Sequence, residues 1–160
     1  MRDDITIQPE RPDGPQVRAM LAELDAYLAR LYPPEANHIL DLQALLDPSI
    51  SFFTARRASL LVGCGAVRRM GGEPATAGGS YGEIKRMYVS PEARGTGVAS
   101  RLLARLEATL RGDGLTLSLL ETGRDQTEAV RLYERAGYAR RAAFGGYPDN
   151  GLSLFMGKAL

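Results

Sequence analysis

The stretch RGTGVA, residues 94–99, runs directly into SRLLARLEATLR, residues 100–111, and its reading decides the fold. Gly95 and Gly97 stand one residue apart where a helix begins. Val98, Leu102, Leu103, Leu106 and Leu110 recur at helical spacing, and Gly112 and Gly114 end the pattern. A helix start presents unpaired N–H groups and the positive end of the helix dipole. Glycine lets an anion approach the backbone closely, and Arg94 adds a permanent forked cation beside it. Together these features suit a pyrophosphate.

Outward from this stretch, YGEIKRMYV (81–89) alternates as a strand. The alternation puts Ile84 on one face and Glu83, Lys85 and Met87 on the other. The SPEA segment (90–93) connects that strand to the glycines. On the far side, LTLSLL (115–120) is an apolar strand suited to the centre of a sheet. Towards the N-terminus, ITIQ (5–8) reads as an edge strand. Val17, Leu21, Leu24, Leu28 and Leu31 predict a helix over 15–31, and HILDLQALL (38–46) predicts a short second one. Two strands follow at 51–57 and 59–70, and the Gly-rich segment 71–80 reads as the most mobile loop. Towards the C-terminus, 126–137 reads as a helix closed by Gly137, with strands at 138–144 and 152–159 around a YPDNG turn. The order is β-α-α-β-β-β-α-β-α-β-β. It implies an α/β fold with a mixed sheet of about seven strands flanked by about four helices.

The 160 residues suit a single domain spanning 1–160. With 20 Lys and Arg against 19 Asp and Glu, the net charge of +1 gives no electrostatic footprint for nucleic acid or an anionic membrane. One cysteine excludes an internal disulfide, and one Cys with one His supplies no ordinary metal-ligand cluster. MRDDITIQPE lacks the apolar segment of a signal peptide, so the expectation is a cytoplasmic protein.

Three phosphate-binding motifs compete for RGTGVA. A P-loop needs a Lys followed by Ser or Thr, and Ala99-Ser100 does not supply that Lys. A dinucleotide fingerprint needs a third glycine where Ser100 stands, directly after a strand. Too few residues follow for a doubly wound domain. An NAD-binding domain therefore fits poorly.

The remaining choice comes from resemblance. R-x-x-G-x-A, from Arg94 to Ala99, preceded by MYVSPEA and followed by an amphipathic helix, resembles the acyl-CoA motif of the GNAT superfamily of N-acetyltransferases. A second signature agrees. Gln126, Ala129 and Leu132-Tyr133-Glu134-Arg135-Ala136-Gly137-Tyr138 are similar to the family's N-x-x-A-x-x-L-Y-x-x-x-G-F pattern. Two departures are Gln126 for the usual Asn and Tyr138 for the final Phe. YPPEANHILDL (32–42) and GEIKRMYV (82–89) further resemble a bacterial branch of that family, some of whose members are labelled indole-acetic acid acetyltransferases.

The resemblance implies acetyl-CoA as cosubstrate and no metal. It places the pyrophosphate on Arg94, Gly95, Thr96, Gly97, Val98 and Ala99, with Ser100 adjacent. It sets the pantetheine along the backbone of Met87, Tyr88 and Val89, with Gln126 near it. It also makes Tyr133 the general acid for the departing sulfur and Glu83 a base facing the acceptor, with Glu121 as second choice. His38 and Tyr32 would roof the acceptor pocket, and Arg86 or Tyr147 would reach it. Arg86 suits an acceptor that carries a carboxylate. Cys64, inside LLVGCGAV, reads as a buried inert thiol.

The acceptor expected on this reading is a small-molecule amine. A protein or peptide acceptor, a non-catalytic acyl-CoA-binding module and a homodimer all remain open to the sequence.

Overall fold

A computed structural model describes residues 4–34 and 40–160. The elements are β1 (Ile5–Pro9), α1 (Pro15–Leu31), α2 (Leu42–Leu45), β2 (Ile50–Arg57), β3 (Leu60–Met70), β4 (Tyr81–Val89), α3 (Val98–Gly112), β5 (Leu117–Gly123), α4 (Thr127–Arg135), β6 (Ala139–Arg140) and β7 (Ser153–Ala159). One seven-stranded sheet runs in the order β1-β2-β3-β4-β5-β7-β6. Among its pairings only β4 with β5 is parallel, and α3 makes that crossover.

The expected architecture is present: a mixed sheet of seven strands with four α-helices. Leu102, Leu103, Leu106 and Leu110 of α3 pack with Val67, Ile84, Val89, Leu120 and Tyr133 on one face. Val17, Met20 and Leu21 of α1 cover Phe52, Cys64 and Ala66 on the other. Tyr81, Leu119, Phe144 and Phe155 continue that second face as an aromatic cluster. Gly82 is required where α3 crosses β4, because a Cβ there would lie 2.2 Å from Leu110 Cδ2.

The most consequential departure from simple alternation lies in β4. Lys85 pairs with Ala66 and Tyr88 with Cys64, so Gly65 alone faces both Arg86 and Met87. This is a β-bulge, and Arg86 holds it with φ +57°. A non-glycine residue there costs on the order of 1 kcal/mol in backbone strain. The extra residue reverses the facing of everything after it. Met87 therefore packs towards α3 with Ile84; a Cβ on Gly65 would meet Met87 Sδ at 2.7 Å and Leu106 Cδ1 at 3.2 Å. The sequence alternation had grouped Met87 with Glu83 and Lys85, and the bulge corrects it. Glu83, Lys85, Arg86 and Tyr88 all turn to the α1 face.

Several boundaries differ from the sequence reading. The strand expected over 138–144 reduces to Ala139–Arg140, after which the chain leaves the ladder so that Phe144 can turn into the aromatic cluster. The described part of the second helix is Leu42–Leu45, capped by the Asp41 carboxylate. The Gly-rich segment 71–80 contains a built turn. Glu73 accepts hydrogen bonds from Tyr81 Oη at 2.7 Å and from the Gly145 N–H at 2.8 Å. Arg141 also donates to the Ala75 carbonyl at 2.7 Å. Among the described residues, no helix is long and apolar enough to cross a membrane.

Candidate functional site

Strands β4 and β5 pair only at Gly82–Ser118 and Glu83–Leu119. Beyond those two rungs the bulged β4 bends away, while β5 stays laddered to β7 as far as Gly123. The sheet forks open, and the edge of β4 that faces the fork has no strand partner along Met87, Tyr88 and Val89. Such an edge offers hydrogen bonds to an extended amide-bearing chain laid along it.

A cavity of about 130 Å³ fills the fork. On the side of α3 and α4 it is lined by Ile84, Met87, Gln126, Ala129 and Tyr133. On the α1 side it is lined by Leu24, Leu28, Tyr32, Leu40, Lys85, Arg86, Glu121 and Leu152. One opening thus connects the two faces of the sheet.

At the end of β4, the chain turns through Pro91–Ala93 into the glycine loop. Gly95 has φ +77° and Gly97 has φ +86°, and a Cβ on either would meet nothing within 4 Å. Backbone here is both left-handed and open, so it can face a bulky anion. Thr96 Oγ1 donates to the Ala93 carbonyl, which ties the loop to the connector. Arg94 donates from Nε to the Val89 carbonyl at 3.0 Å and lies 5.6 Å from the Tyr88 ring centroid, while remaining exposed. Val98 and Ala99 open α3, with Ser100 exposed in its first turn. The loop, Arg94 and the free strand edge fit an elongated pyrophosphate-bearing ligand.

Tyr133 is 6% exposed, stacks edge-on against Tyr138 and lines the cavity. Burial alone pushes its phenol well above the usual tyrosine range. Among the described residues no hydrogen bond engages its hydroxyl, which leaves a protonated donor facing the cavity. Gln126 caps the start of α4, and its side chain meets the Tyr32 hydroxyl. Tyr32 also accepts a hydrogen bond from the Asp125 N–H at 3.3 Å and fills a notch over Gly123. No sequence signal marks Gly123, which lines the cavity and has an ordinary φ.

The two carboxylates have different surroundings. Glu83 is 2% exposed and does not line the cavity. Its Oε2 accepts from Tyr147 Oη and lies 3.3 Å from Lys85 Nζ, which itself donates to the Tyr147 hydroxyl. Burial, then the Glu83 charge, drives the Tyr147 phenol far up, so Tyr147 stays protonated and keeps donating to Glu83. Glu121 does line the cavity, close enough for Tyr147 to feel its charge. The sequence reading gave Lys85 no site role and had Tyr147 reach the acceptor; Tyr147 instead packs against Glu83 and Lys85 and does not line the cavity. The bulge that turns Lys85 and Arg86 to one face has no sequence signature.

Arg86 is held by Asp25 Oδ1 at 2.6 Å and by the Leu21 carbonyl at 3.4 Å, both from α1. His38 lies outside the described residues. Cys64 is buried on the α1 face, where it donates to the Arg86 carbonyl at 3.4 Å, and burial pushes its thiol up to about 12.

Comparisons with known proteins identify the family of the chain. The profile of the acetyltransferase (GNAT) family matches residues 17–138. An Azospirillum brasilense protein named IAA acetyltransferase is 46% identical over 98% of this chain and 99% of its own length. A Bacillus subtilis N-acetyltransferase is 31% identical over 99% of this chain and 97% of its own. Among solved structures, an acyl-CoA N-acyltransferase from Klebsiella pneumoniae superposes with a TM-score of 0.79 at 34% identity. That superposition covers 98% of this chain and 97% of the other.

Proposed function

The chain belongs to the GNAT acetyltransferase family, and we propose that it transfers the acetyl group of acetyl-CoA directly to the amine of a small molecule, both substrates being bound together in one catalytic unit. The observation that carries this reading is the forked sheet. A single cavity places Tyr133 on the side reached from the glycine loop and Glu121 and Lys85 on the other.

Acetyl-CoA supplies an activated acyl group as a thioester. The glycine loop and Arg94 hold its pyrophosphate, and the free edge of β4 at Met87, Tyr88 and Val89 aligns its arm. Gln126 flanks that arm. The neutral amine attacks the thioester carbonyl carbon, the C–N bond forms and the C–S bond breaks. The electron pair leaves on sulfur, Tyr133 gives that sulfur a proton, and the proton shed by the newly acylated nitrogen restores the phenol through solvent. The amine must first lose its ammonium proton, and Glu121 is the cavity carboxylate placed to attract the cation and accept it. Glu83, which the sequence suggests as the base, instead acts through Tyr147 and Lys85 as a positioning residue.

A small acceptor is favoured because Leu24, Leu28, Tyr32 and Leu40 roof the cavity. A long peptide needs an open groove. The test combines two readouts on one preparation. Acetyl-CoA should raise the melting temperature, and free thiol should appear when amino acids, polyamines or aryl amines are added. Absence of any shift with acetyl-CoA would overturn the assignment of the glycine loop. A shift accompanied by turnover only of peptides would overturn the small-molecule acceptor.

A further inference from the structure

We propose that Lys85 and Arg86 together recognise the carboxylate of an amino-acid acceptor whose side chain is apolar and whose amine lies against Glu121. The inference rests on the acetyl-transfer reading and narrows its substrate class.

The bulge is the first observation. In a regular strand, neighbouring residues face opposite sides of the sheet. Here the extra residue sets two adjacent cations on one face, and both line the cavity. Arg86 achieves this at φ +57°, a conformation that glycine holds without strain. A side chain kept at that position is best understood by what it contacts. It is 6% exposed, and Asp25 and the Leu21 carbonyl anchor it from α1. Its Nε is buried and has no hydrogen-bond partner among the described residues. A buried guanidinium donor left over after its structural contacts is costly unless something accepts from it.

The second observation is the charge on the wall. Glu83 and Asp25 balance the two cations from behind, but neither lines the cavity. The wall itself carries Lys85, Arg86 and Glu121, two positive groups and one negative. That pattern complements a zwitterion. Leu24, Leu28 and Leu152 supply the apolar remainder. A peptide N-terminus has an amide where an amino acid has its carboxylate, so it would leave both cations unanswered.

The test measures initial rates of thiol release from acetyl-CoA with L-leucine, leucine amide and isoamylamine as acceptors. Wild type and Arg86→Gly are compared. The glycine variant keeps the dihedral and relieves its strain, so loss of fold is not expected; a melting curve checks this. Leucine should exceed both analogues, which lack the carboxylate, in kcat/KM by about tenfold or more, the worth of a charge-assisted hydrogen bond. In Arg86→Gly that preference should fall towards unity, mostly through KM for leucine. Equal use of the three acceptors by wild type, or an undiminished preference in the variant, overturns the proposal. So does an acetyl-CoA-binding protein that neither acetylates leucine nor is protected by it. Failure to bind acetyl-CoA at all would instead bring down the acetyltransferase reading beneath it.

Discussion

Replacing Gly123 with alanine tests whether the roof of the cavity is packed as described. A Cβ at this position would stand 1.8 Å from Tyr32 Oη, 2.2 Å from Cζ and 2.7 Å from Cε2. Ordinary contact begins near 3.4 Å, so the phenol must withdraw by at least 3.4 − 1.8 = 1.6 Å. The ring is 6% exposed at the end of α1, and its phenol can leave the notch only by giving up its packing over Gly123. Lifting it loses the bond from the Asp125 N–H, worth about 1 kcal/mol. It also uncovers roughly half of a tyrosine's buried area, on the order of 100 Å², worth about 2.5 kcal/mol. The expected destabilisation is about 3 kcal/mol, a fall in Tm of roughly 6–12 °C for a chain of this size. Urea unfolding of wild type, Gly123→Ala, Tyr32→Ala and the double variant measures it as a cycle. On the Tyr32→Ala background the added methyl has room, so Gly123→Ala should cost close to nothing there, giving a coupling of about 3 kcal/mol. A Gly123→Ala cost below about 0.5 kcal/mol, or the same cost on both backgrounds, would refute the argument.

Four further outcomes are expected. Tyr133→Phe should lower kcat by about 10²- to 10⁴-fold while leaving Tm and acetyl-CoA binding unchanged, because its hydroxyl has no partner to lose among the described residues. Since burial raises that phenol, no alkaline limb of the wild-type rate below about pH 10 should belong to it. Glu10, whose carboxyl is held below its ordinary value chiefly by its hydrogen bonds to Arg56, contributes stability present above the unfolded pKa. That contribution is lost as pH falls through the lower folded value, so Glu10→Gln should flatten the acid side of the stability profile measured by urea unfolding. Cys64, with its thiol pushed up to about 12, should resist a thiol reagent at pH 8 until the protein unfolds; rapid stoichiometric labelling of the native chain would contradict its burial.

The fold was legible where local rules and tertiary packing agree. The leucines of α3 fall at helical spacing because one face must cover the sheet, and all of them are buried where that spacing puts them. The strand expected over 138–144 failed for a tertiary reason. Ala142 and Ala143 suit a ladder as well as a loop, and the placement of Phe144 among Tyr81, Tyr147 and Phe155 decides between them. The loop 71–80 looked free because glycine dominates it. Its anchors, Arg141 and the Gly145 N–H, come from a segment more than sixty residues later.

The two halves of the cavity differ in the same way. The cofactor half depends on backbone: a left-handed glycine pair, a helix start and an unpaired strand edge. Those demands fall on contiguous residues, so a short motif records them. The acceptor half is assembled from side chains on α1, β4, β5 and the loop before β7, and no spacing rule links them. A one-residue insertion in the register of β4 decides its character. Without the bulge, Arg86 would face α3 and Met87 would face α1, and the wall beside Glu121 would hold one cation instead of two. Sequence alternation has no means of detecting that change, because the extra residue is defined only against its partner strand. For this reason the acetyl donor could be argued from the motif at 94–99 with its flanking strand and helix and the signature at 126–138, whereas the proposed acceptor requires the register of Gly65 against Arg86 and Met87.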